Sequence, residues 1–174
     1  ISSSGAVGLW QIMPRTAELL GLKENWWIEE RHDPYKSTDA AIRYIDYLYK
    51  RFNQDIYFVL VAYNAGPTFT SKAIQRTSRR ASSLSYKDLP LSAQTRNYIP
   101  KFLALIELIN NNEKYNIDLP DIPYSKVVDK ISFEEQIEIL NFSDFLNLKP
   151  ELLYKLNAGY TKWATDPNMV STFY

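Results

Sequence analysis

Apolar residues recur every three or four positions in two long stretches of this chain, and that spacing predicts its clearest helices. In the first stretch Ala41, Tyr44, Ile45, Leu48, Tyr49 and Phe52 fall on one helical face. Ser37 is placed to cap this helix, and Asp39 lies in the expected first turn, where negative charge is favourable. In the second stretch, residues 92–110, the apolar set is Tyr98, Ile99, Phe102, Leu103, Leu105, Ile106 and Ile109. Pro100 is expected to bend or strain its early part, and Asn110-Asn111-Asn112 to end it. A short helix is expected over residues 14–20. Pro14 suits a first turn, where its missing N–H costs nothing, and Gly21 suits the stop. Trp26 and Trp27 fall in the connection that follows.

The remaining segments are less regular. Residues 56–63 are apolar throughout, so periodicity does not separate a buried strand from a buried helix; their β-branched and aromatic content alone leans to strand. Residues 71–88, rich in Ser, Lys and Arg, read as an exposed helix and loop. The segment 115–124, with Pro120 and Pro123, reads as a linker. Beyond it, residues 126–131 and 135–140 read as short strands, and 142–148 and 150–156 as short helices, the second stopped by Asn157-Ala158-Gly159.

A length of 174 residues suits one globular domain with a small appendage. Apolar residues make up 45% and charged residues 23%, which excludes a disordered chain. Twenty acidic side chains balance twenty basic ones, so bulk attraction to nucleic acid or anionic lipid is not expected, and an uncharged polar ligand such as a glycan fits at least as well. The aromatic load is high, with 13 Tyr, 8 Phe and 4 Trp; such rings mostly build core, and those that do not can stack on sugar faces. With no cysteine there is no disulfide framework or thiolate metal site. The single histidine, His32, rules out a multi-histidine metal centre, and no nucleophile motif lies beside it, so a surface or capping role is expected. No apolar run reaches membrane-spanning length, and a secretory segment would have been removed if the protein is exported.

Glycine is scarce, and three of the five, Gly5, Gly8 and Gly66, lie in two motifs. One is Ser2-Ser3-Ser4-Gly5-Ala6-Val7-Gly8-Leu9-Trp10-Gln11-Ile12-Met13-Pro14; the other is Ala62-Tyr63-Asn64-Ala65-Gly66-Pro67. Glycine serves where backbones approach closely or φ is positive. On spacing alone, two turns beside a ligand and two turns that pack helices are equally good readings. Two further blocks follow the same order: Glu30-Arg31-His32-Asp33-Pro34 with Ser37-Thr38-Asp39-Ala40-Ala41, and Thr95-Arg96-Asn97-Tyr98-Ile99-Pro100-Lys101. Together the four blocks, over roughly the first 105 residues, resemble the catalytic domain of the lytic transglycosylases, lysozyme-like enzymes that cut bacterial peptidoglycan. The likeness is greatest to the D-type membrane-bound group.

The resemblance implies a mainly α, lysozyme-like helical domain over residues 1–114, with residues 56–63 as its central helix. Residues 115–174 are expected to form a linker and a small C-terminal α/β extension, whose order of elements is similar to the glycan-binding LysM module. The implied reaction cleaves the β-1,4 bond between N-acetylmuramic acid and N-acetylglucosamine. One glutamic acid protonates the glycosidic oxygen and then acts as base, so that the muramoyl 6-hydroxyl closes a 1,6-anhydro ring, a departure from the two-carboxylate scheme. An apolar cleft would raise that acid's pKa. By resemblance Gln11 bonds the sugar or its N-acetyl group, Met13 supports the glycan floor, Tyr63, Asn64 and Ala65 line the cleft, and Tyr98 lends its hydroxyl beside the reacting centre. Gln94 stands where many relatives carry Glu; it keeps the shape and hydrogen bonding and loses the charge. No metal and no cofactor is implied.

In that family the catalytic glutamate sits about two helical turns before the position matching Ile1. Glu18, Glu29 and Glu30 do not match it, so this chain alone is expected not to solubilise peptidoglycan. The alternatives are a non-catalytic glycan-binding module of the same fold and a helical interaction protein without a sugar site. The expected partner is the peptidoglycan glycan strand, with no nucleic acid, membrane anchoring only through a segment before Ile1, and a monomeric state. The expected location is the periplasm or the outer-membrane-associated envelope of a bacterium.

Overall fold

Pro14 at the first position and Gly21 just past the last delimit α1 (Pro14–Leu20). Gly21 takes the left-handed conformation, φ 76°, and its N–H closes on the Glu18 carbonyl at 3.1 Å. The computed structural model describes residues 1–79, 83–122, 125 and 128–174. They form two units, Ile1–Tyr44 with Ser125–Tyr174, and Ile45–Tyr124. Helix α2 (Pro34–Arg51) contributes its residues up to Tyr44 to the first unit and the rest to the second.

In the first unit Ile12, Ala17 and Ala40 form a small core, with Trp10, Leu20 and Leu22 packed on it. Helix α2 starts three residues before the Ser37 expected to cap it. Pro34 supplies a preset φ for the first turn, which leaves Asp33 at the cap, its Oδ1 accepting from the Tyr35 and Lys36 N–H groups, both at 2.9 Å. Asp39 lies beyond the first turn and pairs with Arg43 at 3.1 Å. Ser37 is instead fully buried, and its Oγ has no hydrogen-bond partner among the described residues. Ser37→Ala is therefore expected to leave stability unchanged or raise it by up to about 1 kcal/mol. Asp33→Ala is expected to lose about 1 kcal/mol. Urea midpoints decide the matter, and the reverse order would return the cap to Ser37.

The C-terminal part of this unit is a small α/β element, as expected. Strand β1 (Ile131–Phe133) pairs antiparallel with β2 (Ser171–Phe173), Ile131 opposite Phe173. Helices α6 (Ile139–Phe145) and α7 (Pro150–Leu156) pack Ile139, Phe142 and Leu153 against Phe173. The first expected strand falls partly on Lys126 and Val127, outside the described residues, and pairing begins only at Ile131. The strand expected over 135–140 does not form. Glu138 makes an isolated bridge to Ala164, and the three-residue spacing of Ile139 and Phe142 puts both on the buried face of α6. Asn157 ends α7: its Nδ2 donates to the Leu153 carbonyl at 2.9 Å and to the Tyr174 carbonyl at 3.2 Å.

The second unit is built on α3 (Ile56–Ala65), α4 (Pro67–Ser78) and α5 (Ala93–Asn110). Residues 56–63 are helix, not the strand their composition favours. Asp55 caps the first turn through bonds from the Tyr57 and Phe58 N–H groups at 2.9 and 3.2 Å, and consecutive Val59, Leu60, Val61 and Ala62 are all buried, which erases any amphipathic period. Ser92 caps α5 by accepting from Thr95 N–H at 3.2 Å. Of the apolar face expected on α5, Ile99 is fully buried in a core with Leu60, Val61, Ala73, Leu89 and Leu91, and Tyr98 packs at its edge. Phe102, Leu103, Leu105, Ile106 and Ile109 are exposed and lie outside that core, as does Tyr49 of α2. Pro100 sits inside α5, and Asn111 ends it. One-turn 3-10 helices occupy Tyr86–Asp88 and Glu113–Tyr115; residues 116–122 carry no regular element, and Pro123 and Tyr124 of the expected linker lie outside the described residues, as do residues 80–82.

Candidate functional site

The Ala62–Pro67 motif is the corner between α3 and α4. Tyr63, Asn64 and Ala65 form the last turn of α3, and Gly66 breaks it with φ 91° and ψ 141°, a conformation strained for any residue with a Cβ. Pro67 opens α4, and Thr70 anchors the corner by donating through Oγ1 to the Gly66 carbonyl at 2.9 Å. Against this corner lies an open groove of about 490 Å³. Asn64, Ala65 and Phe69 line it from the corner, and Pro90, Ser92, Gln94 and Thr95 from the start of α5.

The lining is neutral and of mixed polarity. Asn64 and Gln94 present carboxamides, which both donate and accept, while Phe69 and Pro90 offer flat apolar surface. The Ser92 and Thr95 hydroxyls are bonded to each other at 3.0 Å, so they serve the helix cap as well as the groove. No carboxylate lines the groove among the described residues, nor do those residues include a cluster of side chains able to hold a metal ion. A groove of this size with few convergent polar groups accommodates a sugar-sized ligand.

Asn64, Ala65 and Gln94 are thus brought together from motifs thirty residues apart in sequence. Tyr63 and Tyr98 belong to the same unit without lining the groove. Tyr98 follows Gln94 by four residues on α5 and so shares its face of the helix. It is half-buried, stacks on Phe102 at 6.4 Å, and its burial pushes the phenol up, which keeps it a hydrogen-bond donor. Phe69 and Pro90 were not anticipated; the only signal for Phe69 was its position in the first turn after Pro67.

Gln11 and Met13 belong to the first unit, on a loop closed by the Val7–Ile12 bridge. Gly8 takes φ 76°, and Gln11 itself is left-handed at φ 50°. The Gln11 N–H and Nε2 both donate to the Gly8 carbonyl, at 3.2 and 2.8 Å. Gln11 and Met13 are both exposed. Beneath the loop Arg31 is buried, and its Nη1 donates to the Gly5 and Ile12 carbonyls at 3.2 and 3.4 Å. Its other nitrogens bind Glu29, at 2.9 Å from Nε and 2.6 Å from Nη2, and Glu24 at 3.0 Å. Burial alone would push the Glu29 carboxyl up, but the hydrogen bonds and charge of Arg31 outweigh it and hold Glu29 below its ordinary value. Glu30 is committed to Lys36 at 2.7 Å and to the Lys23 N–H at 2.7 Å. Partly buried Glu29 and buried Glu30 are thus both committed to partners within the protein. The part played by Arg31 was missed, because it depends on carbonyls 26 and 19 residues away in sequence.

Comparison with known proteins places the chain first by class. Residues 1–85 match the family model of the Transglycosylase SLT domain, a lysozyme-like helical domain. Over 172 residues, 97% of this chain, it is 32% identical to the Membrane-bound lytic murein transglycosylase D of Escherichia coli K12, of which it spans 38%. It is 34% identical over 91 residues to the Membrane-bound lytic murein transglycosylase E of Buchnera aphidicola, covering 46% of this chain and 41% of that one. It is 27% identical over 107 residues to the Soluble lytic murein transglycosylase of Salmonella typhimurium, 59% of this chain and 17% of that one. The chain therefore spans well under half the length of these relatives. Among the described residues no helix is long and apolar enough to cross a membrane.

Proposed function

We propose that the protein is a peptidoglycan lytic transglycosylase, cleaving between N-acetylmuramic acid and N-acetylglucosamine and leaving 1,6-anhydro-muramoyl ends in the bacterial cell envelope. The observation that carries this reading is the groove joining Asn64 and Ala65 to Gln94, a neutral, carboxamide-walled site suited to an N-acetylated sugar. The relatives' names support the same substrate.

In this reading Asn64 and Gln94 bond the hydroxyls and N-acetyl group of the sugar, and Gln11 and Met13 contact the strand from their own loop. Tyr98 donates its hydroxyl near the reacting centre. The acid that protonates the glycosidic oxygen is, as the resemblance to the lytic transglycosylases implies, a glutamate upstream of the Ser2–Pro14 motif. The protein acts as a monomer in the periplasm or at the outer membrane.

Asn64→Ala in the full-length natural protein is expected to lower kcat/KM on murein about tenfold, the loss of one or two hydrogen bonds to a neutral ligand. Tyr98→Phe is expected to cost about as much in kcat while moving the urea midpoint little. If Tyr98→Phe lost stability and turnover in parallel, Tyr98 would be a packing residue only. Undiminished turnover in Asn64→Ala would remove the groove from the reaction.

A further inference from the structure

All four tryptophans lie in the first unit and none lines the groove; Trp27 meets Trp163, and Trp26 is joined to the same pair of segments through Lys162 and Thr161. Trp26 and Trp163 are 66% and 59% exposed. Trp27 meets Trp163 edge-on, with centroids 5.9 Å apart, and the Lys162 ammonium lies 3.6 Å from the centre of the Trp26 ring. Rings recruited to build a core would be covered; Trp26 and Trp163 are held open to solvent.

Their backbone is fixed on every side. Thr161 donates through N–H to the Trp27 carbonyl at 2.9 Å and through Oγ1 to the Trp26 carbonyl at 2.8 Å. The Trp27 N–H donates to Asn25 Oδ1 at 2.8 Å, and Asn25 Nδ2 in turn donates to the buried Asp166 at 2.7 Å. The Trp163 carbonyl accepts from the Ile139 N–H at 2.8 Å. Two segments more than 130 residues apart in sequence are thereby locked together, and the result is a preorganised surface of large rigid rings, which binds at low entropic cost.

We propose that Trp26, Trp163 and Lys162 form a second glycan-binding surface that holds a murein strand outside the groove. The indole faces stack on the apolar faces of the pyranose rings, and the Lys162 ammonium meets the carboxylates of the muramoyl lactyl groups or stem peptides. Charge favours this occupant over a bilayer. The protein is neutral overall, and among the described residues Lys162 is the cation found over these rings, whereas surface attachment to anionic lipid needs a basic cluster or a basic amphipathic helix. The rings sit in connections rather than on a helix. The inference rests on the proposed function only for the identity of the polymer.

The test is co-sedimentation of the full-length protein with purified murein sacculi and, separately, with phosphatidylglycerol vesicles. Trp26→Ala and Trp163→Ala are each expected to weaken binding to sacculi about tenfold, and Lys162→Glu to weaken it by a smaller factor that shrinks as salt is raised. Trp163→Phe, which keeps a ring against Trp27, should retain most of the binding and guards against a folding defect in Trp163→Ala. Undiminished sacculus binding in Trp26→Ala and Lys162→Glu overturns the proposal, as does tryptophan-dependent binding to vesicles but not to sacculi. Release of anhydro-muropeptides is scored in parallel. Tryptophan-dependent binding without such release keeps this surface and removes the proposed reaction, and release with tryptophan-independent binding does the opposite.

Discussion

Replacing Gly8 with alanine is expected to cost this chain about 3–5 kcal/mol and to unfasten the loop that carries Gln11. A Cβ built on Gly8 would stand 1.8 Å from the Arg31 carbonyl oxygen and 2.8 Å from its carbon, both backbone atoms that cannot swing aside. The left-handed φ of 76° adds a conformational penalty of about 1–2 kcal/mol. Gly66 provides the control. It too has positive φ, at 91°, but nothing lies within 4 Å of the position a Cβ would take. Gly66→Ala should therefore lose only the backbone term, about 1–3 kcal/mol. Urea unfolding of the two variants should rank Gly8→Ala as clearly the less stable. Equal midpoints would mean that the segment holding the Arg31 carbonyl moves away at little cost.

Arg31→Ala is expected to cost about 2–4 kcal/mol, because it removes a buried guanidinium and leaves the partly buried Glu29 and Gly5 carbonyl and the buried Ile12 carbonyl without it. Arg31→Lys should recover only part of the loss, since an ammonium has no planar fork to reach two carbonyls and a carboxylate together. Acidity supplies a second readout. The folded-state pKa of Glu29 is depressed, so its contribution is complete above the unfolded value and disappears as pH falls through the folded one. Asp33 runs the other way: burial raises its carboxyl, so its contribution is complete below the unfolded value and lost as pH rises through the folded one. The two partly offset each other on acidification of the native chain. With Arg31 gone the Glu29 contribution goes as well, so the stability gap between native and variant chains should narrow as pH falls from neutral through the depressed folded-state value of Glu29. A gap that stays constant would place the damage in lost packing and not in the ion pair.

The parts of the fold legible in sequence are those set by local chemistry. Pro14 with Gly21, Ser92, and Pro150 with Asn157 mark helix ends that need no tertiary context, and α1, α5 and α7 appear where these residues put them. The start of α2 was misplaced, because Ser37 carries cap chemistry and was read as the cap, whereas Pro34 opens the helix and leaves Asp33 in that role. Helix α3 was illegible from periodicity, since a helix buried on every side carries no polar stripe; only the family resemblance distinguished it from a strand. Periodicity also reported an apolar face on α5 without reporting whether anything covers it, and most of that face is exposed. The groove was half legible. Asn64, Ala65 and Gln94 stood in recognisable motifs, whereas Phe69, Pro90 and the anchoring role of Arg31 arise from packing between distant segments.

Mass analysis of the sugar ends that the full-length protein releases from purified murein tests the proposed reaction most directly. An intramolecular attack by the muramoyl 6-hydroxyl predicts fragments ending in 1,6-anhydro-muramic acid, one water lighter than the hydrolysed equivalents. Fragments with ordinary reducing ends would make the protein a hydrolase, and sacculi bound but left intact would make it a glycan-binding module; either result contradicts a lytic transglycosylase.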